Sequence, residues 1–142
     1  MPDCPDVADH PYPKGRMPAI RRVMVPSDTN AVGTIFGGTI LSEIDLAAAI
    51  TAHLVHPGRI VTVAMDKIEF KQPVHVGDLL SLFGTITKLG RSSIQMQIEV
   101  FAERRLACRE THLVTVAEVT MVAVDEDLRP TPIAEPERMH DQ

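Results

Sequence analysis

Residues 30–52 read NAVGTIFGGTILSEIDLAAAITA, a Gly-punctuated loop that runs straight into an apolar helix carrying an aspartate, Asp45. Gly33, Gly37 and Gly38 lie in the loop, where a missing side chain permits backbone conformations and close approaches that other residues block. From Thr39 onward, Ile40, Leu41, Ile44, Ala47, Ala48 and Ile50 recur at helical offsets, and the run of alanines predicts a helix buried on most of its sides. A helix that opens just after a Gly pair points unused backbone N–H groups outward, toward an anion or an oxygen gaining negative charge. Asp45 stands seven residues beyond Gly38. At roughly 3.6 residues per turn that is about two turns, so the two share a face. An acid in this setting has two readings: it hydrogen-bonds a neighbouring backbone or partner helix, or it forms a site with the helix-start donors.

Working outward, Ala19 to Val25 (AIRRVMV) predicts a short strand that Pro26 ends, and Ser27-Asp28-Thr29-Asn30 has turn and cap chemistry. On the other side, His56-Pro57-Gly58 breaks the helix. His53 and His56 sit near the helix end, where a cation suits the dipole; no further metal ligand accompanies them. Ile60 to Lys71 predicts a strand whose alternation shifts phase at Asp66-Lys67, as a bulge would cause. Residues 72–78 form a turn-rich connection, Leu79 to Leu89 a strand, and Gly90-Arg91 a tight hairpin. Ser92 to Ala102 then alternates, with Ile94, Met96, Ile98 and Val100 on one face and Ser93, Gln95, Gln97 and Glu99 on the other. Arg104 to Arg109 makes the next turn, and His112 to Val124 the last strand.

The order is one short strand, one helix and four long strands joined by turns, which predicts an α+β domain: a meander of antiparallel sheet wrapped around a long central helix. One tyrosine and four phenylalanines are the only aromatic residues, so the core is expected to be aliphatic and the helix–sheet contact close. Residues 1–17 hold four prolines and few aliphatics and predict an irregular or disordered arm; 18–133 form the domain and 134–142 a tail.

The length of 142 residues suits one domain with a substantial core, and 44% apolar residues is a globular composition. A net charge of −5 argues against a nucleic-acid-binding surface. Cys4 and Cys108 make neither a metal set nor a disulfide framework. No secretory segment and no membrane span is apparent, so the expected setting is the reduced cytoplasm.

The Gly37-Gly38 helix start and Asp45 together suit hydrolysis of an activated acyl group. The Gly38 N–H, with the Asn30 side-chain amide, would hold a carbonyl oxygen as it becomes an oxyanion, a contact worth roughly 3–4 kcal/mol. Asp45 would deprotonate water or attack the carbonyl itself, and the sequence leaves both routes open. No G-x-S-x-G elbow, cysteine nucleophile motif, Walker loop, G-x-G-x-x-G fingerprint or H-E-x-x-H helix competes. Lys67, Lys71, Lys88 and Arg91 fall at strand ends or beside turns, where they could meet phosphates; Arg91 is favoured because the Gly90-Arg91-Ser92-Ser93 hairpin adds hydroxyls and backbone donors. Arg104, Arg105 and Arg109 read as surface charge.

The run DTNAVGTIFGGTILSEID, followed by RIVTVAMDKIEFKQPVHVGD, closely resembles the hotdog-fold acyl-CoA thioesterases, in particular the bacterial YciA-like group and related cytosolic acyl-CoA hydrolases. The resemblance spans residues 18 to 133 and includes the F-x-x-P-V-x-V-G-D segment that begins at Phe70. It implies a helix wrapped by an antiparallel sheet, homodimers joined through their sheet edges with the sites at the interface, and assembly into a hexamer as a trimer of dimers. It assigns Asp45 as the catalytic acid, Asn30 as a polar partner placed across the dimer and Gly38 as the helix-start donor. Gly37, Lys67, Phe70, Lys71 and Gly90 to Ser93 become candidates for binding the CoA portion. No cofactor is implied, since CoA is part of substrate and product. Two other hotdog roles are weighed beside this one. A non-catalytic acyl-CoA sensor or assembly unit has no use for a costly acid at that position. A dehydratase would want a histidine near the helix start, and residues 30–52 hold none.

Overall fold

The computed structural model describes residues 12–105 and 109–133. Strand β1 (Ile20–Val23) and a short 3-10 helix (Pro26–Asp28) precede α1 (Gly37–Ala52), and β2 (Ile60–Asp66), β3 (Leu79–Leu89), β4 (Ser93–Arg104) and β5 (Glu110–Ala123) follow. All four strand pairings are antiparallel, in the order β1-β3-β4-β5-β2. The expected α+β class therefore holds, with one topological correction. Only β3, β4 and β5 form a meander; β2 skips its sequence neighbour β3 and pairs with β5 at the far edge. The connection over residues 67–78 is long enough to carry the chain across, and Lys71 N–H bonds Val114 O on β5 along the way.

The alternation read in β4 is the one that builds the core. Ile94, Met96, Ile98 and Val100 are buried, and they join Leu80 and Leu82 of β3, Val114, Ala117 and Val119 of β5, and Ile40, Ile44, Ala47, Ala48 and Ala52 of α1. At Gly84 of β3 the helix comes so close that a Cβ would overlap the Thr51 side chain, whose hydroxyl donates to Ala47 O at 2.8 Å. Alanines on the helix and one glycine on the sheet together permit that approach.

Besides shifts of one or two residues at the ends of β1, β4 and β5, two boundaries and the position of the β2 bulge differ from the expectation. The helix starts at Gly37 rather than Thr39, with Phe36 as its N-cap residue. Strand β2 ends at Asp66, because Lys67 adopts a left-handed φ of 57° that turns the chain out of the ladder. The bulge lies earlier than the phase shift suggested, between Thr62 and Ala64. The helix is also less enclosed than its composition predicts: Leu46, Ile50 and Leu54 follow one another at four-residue spacing and are 53%, 47% and 73% exposed. Of the arm, residues 12–17 have no helix or strand, yet Tyr12 packs its ring on Phe83 and Phe101 on the sheet face opposite α1. The remainder of the arm, the tail 134–142 and both cysteines lie outside the described residues.

Candidate active site

The start of α1 is held by its own flanks. Phe36 N–H donates to Asp28 O at 2.8 Å, Ile35 N–H to Val74 O at 2.8 Å and Thr39 N–H to Phe36 O at 3.0 Å. The Gly37 and Gly38 N–H groups are left without a protein acceptor among the described residues. Two aromatic rings flank them. A Cβ on Gly38 would overlap the Phe36 ring, and one on Gly37 would stand 3.4 Å from the Phe70 ring. Glycine at both positions thus lets exposed aromatic faces close over bare backbone donors, and it brings Phe70 to the helix start from a segment more than thirty residues away. An open cleft of about 400 Å³ lies here, lined by Arg22, Asp28, Phe36, Gly38, Thr39, Ser42 and Glu43.

Asp45 is half-buried, and its Oδ1 accepts a hydrogen bond of 2.5 Å from Thr62 Oγ1 on β2. Its partner is therefore a strand hydroxyl, not a backbone group or another helix. The bulge just after Thr62 falls where β2 presents this hydroxyl to the helix. Thr62 gave no signal in the sequence, because the contact exists only once β2 occupies the sheet edge beside α1.

Asn30 is placed differently from a free side-chain donor. Its Oδ1 accepts from Val32 N–H at 3.0 Å and Thr34 N–H at 3.2 Å, and its Nδ2 donates to Thr34 Oγ1 at 2.9 Å. These bonds cap the turn around Gly33, whose φ of 91° requires glycine. No described hydrogen bond joins Asn30 to Gly38 or Asp45 within the chain.

The candidate CoA-binding residues do not form one cluster in a single chain. Lys67 is exposed and lies 3.4 Å from Glu118 on β5, and Lys71 is exposed without a described ion pair. Gly90 N–H closes the hairpin onto Ser93 O at 2.8 Å, and the tip is tied to the C-terminal segment by Ile133 N–H to Arg91 O at 2.8 Å. Arg91 is exposed and has no described ion pair. By register, Thr62 pairs with Met121 and Met121 with Ile94, so roughly 10 Å, two strand spacings, separates the Asp45 partner from the residue that follows Ser93.

A partly buried charge network was not foreseen. Arg22 on β1 bonds Asp28 at 2.8 Å and Glu43 at 2.9 Å. The Val25 N–H, and after it the Arg22 guanidinium, hold the Asp28 carboxyl below its ordinary range, and Asp28 in turn raises Arg22. A second cleft of about 310 Å³ lies among His75, Gly77, Asp78, Arg104 and Arg105, where Arg104 grips the buried Asp78 at 3.3 Å. Arg104 is thus structural rather than loose surface charge. Of the two helix-end histidines, His53 Nε2 lies 3.3 Å from Gly58 O and His56 is packed on Gly58. Among the described residues no three of His, Cys, Asp and Glu gather as a metal set, and no helix is long and apolar enough to cross a membrane.

Comparison with known proteins agrees with this architecture. Residues 32–109 match the thioesterase superfamily model. A Haemophilus influenzae protein named "uncharacterized acyl-CoA thioester hydrolase" is 43% identical over 112 residues, 78% of this chain and 73% of the relative. The acyl-CoA thioester hydrolase YciA of Salmonella typhimurium is 37% identical over 123 residues, covering 85% of this chain and 92% of that protein. The crystal structure of a hexameric hotdog-fold thioesterase from Campylobacter jejuni superposes with a TM-score of 0.80 at 44% identity, covering 88% of this chain and 96% of its own. With a helix wrapped by an antiparallel sheet and these relatives along nearly its whole domain, the chain belongs to the hotdog-fold thioesterase superfamily, among its YciA-like members.

Proposed function

We propose that the protein hydrolyses acyl-CoA thioesters, releasing CoA and a carboxylic acid. The observation that carries the mechanism is the pairing, on one helix, of Gly37 and Gly38 N–H groups that have no acceptor among the described residues with an Asp45 carboxylate held by Thr62. The thioester carbonyl oxygen would sit at the helix start, where the Gly38 N–H stabilises the charge that grows on it in the transition state. Asp45 either removes a proton from water as that water attacks, or attacks the carbonyl to give an anhydride that water then opens. The Thr62 hydroxyl fixes the carboxylate rotamer in either case. The names of the relatives support acyl-CoA as the substrate class.

Asn30 enters this scheme from a second copy of the chain. Its own hydrogen bonds hold it in the loop that opens α1, and one amide hydrogen remains for a partner's substrate. The exposed Leu46, Ile50 and Leu54 stripe, beside the open edge of β2 with Val61 and Val63, is the surface a homodimer would bury. The Campylobacter relative is hexameric, which supports a trimer of such dimers. The CoA phosphates would meet Lys71 and Arg91, two exposed cations without described ion pairs, with the Ser92 and Ser93 hydroxyls supplying donors beside the Gly90 turn, Lys67 a further charge and Phe70 an apolar wall.

The test is thiol release from short-, medium- and long-chain acyl-CoAs by wild type and Asp45→Asn. The amide keeps the shape and removes the base, so turnover is expected in wild type and a loss of at least about 100-fold in the variant. Equal activity in a folded Asp45→Asn protein would end the mechanism. Acyl-CoA binding by wild type with no turnover at any chain length would make the protein a sensor.

A further inference from the structure

Arg22 joins two carboxylates that come from separate elements. Its Nη1 donates to Glu43 Oε1 at 2.9 Å and its Nη2 to Asp28 Oδ1 at 2.8 Å. Glu43 belongs to the second turn of α1 and Asp28 to the 3-10 helix after β1, and both are 8% exposed. Two carboxylates so withdrawn from water need a counter-charge, and the planar guanidinium reaches both at once in a way a lysine ammonium does not.

The consequence reaches the helix start through Asp28. Its Oδ2 accepts the Val25 N–H at 2.9 Å, which fixes the turn. Its backbone carbonyl accepts the Phe36 N–H at 2.8 Å and the Thr39 hydroxyl at 3.5 Å. Phe36 and Thr39 bracket Gly37 and Gly38, and the Phe36 ring lies against Gly38. The first turn of α1 is therefore clamped from both ends: by Asp28 ahead of the glycines and by Glu43 behind them, with Arg22 as the common link. The same residues wall the cleft into which Gly38 opens.

We propose that Arg22 is a positioning residue for thioester hydrolysis, holding the Gly37 and Gly38 N–H groups in place through Asp28 and Glu43 without touching the substrate. The inference rests on the reading of Gly38 as the oxyanion donor. Without the guanidinium, Asp28 and Glu43 face each other as uncompensated buried charges, and the 26–28 turn moves to separate them. Asp28 O moves with it, and the glycine amides follow. A displacement near 1 Å at a catalytic donor costs up to about 100-fold in rate. The loss falls on kcat, because the oxyanion exists only in the transition state.

The experiment compares full-length wild type, Arg22→Ala and Arg22→Lys on an acyl-CoA that wild type hydrolyses, with low guanidinium chloride or ammonium chloride added. In both variants kcat is expected to fall about tenfold or more while KM stays within about twofold, the pattern of a lost transition-state contact. Guanidinium is expected to restore part of kcat in Arg22→Ala, and ammonium is not. Full kcat in either folded variant, a rise in KM with kcat retained, or rescue by both cations alike would overturn the proposal. If Arg22→Ala does not fold, Arg22→Lys keeps the charge and carries the same kcat-against-KM comparison. Wild type inactive on every acyl-CoA removes the thioesterase reading and this one together, whereas active wild type with unimpaired variants removes this one alone.

Discussion

A single hydroxyl decides how Asp45 is presented. The carboxylate sits on the helix face that also carries Gly38, and Thr62 Oγ1 reaches it from the edge strand at 2.5 Å. A hydrogen bond to a charged group is worth about 1.5–3 kcal/mol. If the bond orients Asp45 in the transition state, Thr62→Val should lower kcat by roughly 10- to 100-fold, at about 1.4 kcal/mol per decade. Thr62→Ser, which keeps the hydroxyl, should retain most of the rate. Steady-state kinetics on the pair checks this, and equal rates for Val and Ser would show that Asp45 needs no such support. Asn30 illustrates the opposite case. Its side chain is an obvious amide donor in the sequence, but three hydrogen bonds within residues 30–34 hold it as a turn cap and leave one amide hydrogen over.

At the scale of elements, the helix–sheet contact is set by one position. A Cβ on Gly84 would overlap Thr51, which is itself buried and bonded to Ala47 O. Thr51 cannot yield cheaply, and overpacking of this kind costs about 1–3 kcal/mol. Gly84→Ala is expected to lower Tm by several degrees, and adding Thr51→Ala should recover part of the loss, because the two changes share one space. Additive losses in thermal melts of the single and double variants would place the strain elsewhere. The edge strands show a related economy. Strand β2 keeps its register with β5 except at the bulge after Thr62, and the hairpin at residues 90–93 is fixed by the returning C-terminal segment, not by its turn alone.

For the molecule as a whole, the exposed apolar surface is the dominant fact. Leu46 and Ile50 line one side of α1, Leu54 continues the row just past its end, and Val61 and Val63 stand on the adjacent open edge of the sheet. An isolated chain that left these in water would carry the contiguous apolar patch that marks an interaction site. The double substitution Leu46→Glu with Ile50→Glu is therefore predicted to shift the protein from an oligomer to a monomer in sedimentation velocity. Because the proposed site takes Asn30 from the partner, thioesterase activity should fall with assembly. A monomer with full activity would show that one chain suffices.

The local chemistry of the chain was enough to determine its elements. The alanine-rich helix, the clean alternation of β4 and the hairpin at Gly90-Arg91 each depend on residues close in sequence and are present as read, although the helix begins two residues early and takes in the Gly pair. The same residues, with the segment from Phe70, were enough to mark the family. Only the tertiary structure decided that β2 crosses to the far edge, that it stops before Lys67 instead of running on through a bulge to Lys71, and that Ile50 faces outward. It alone joined Asp45 to Thr62, and Arg22 to Asp28 and Glu43. The reason is physical. Periodicity records whether a residue prefers burial, while the partner it meets depends on strand order and helix placement, which are settled by the packing of the whole chain.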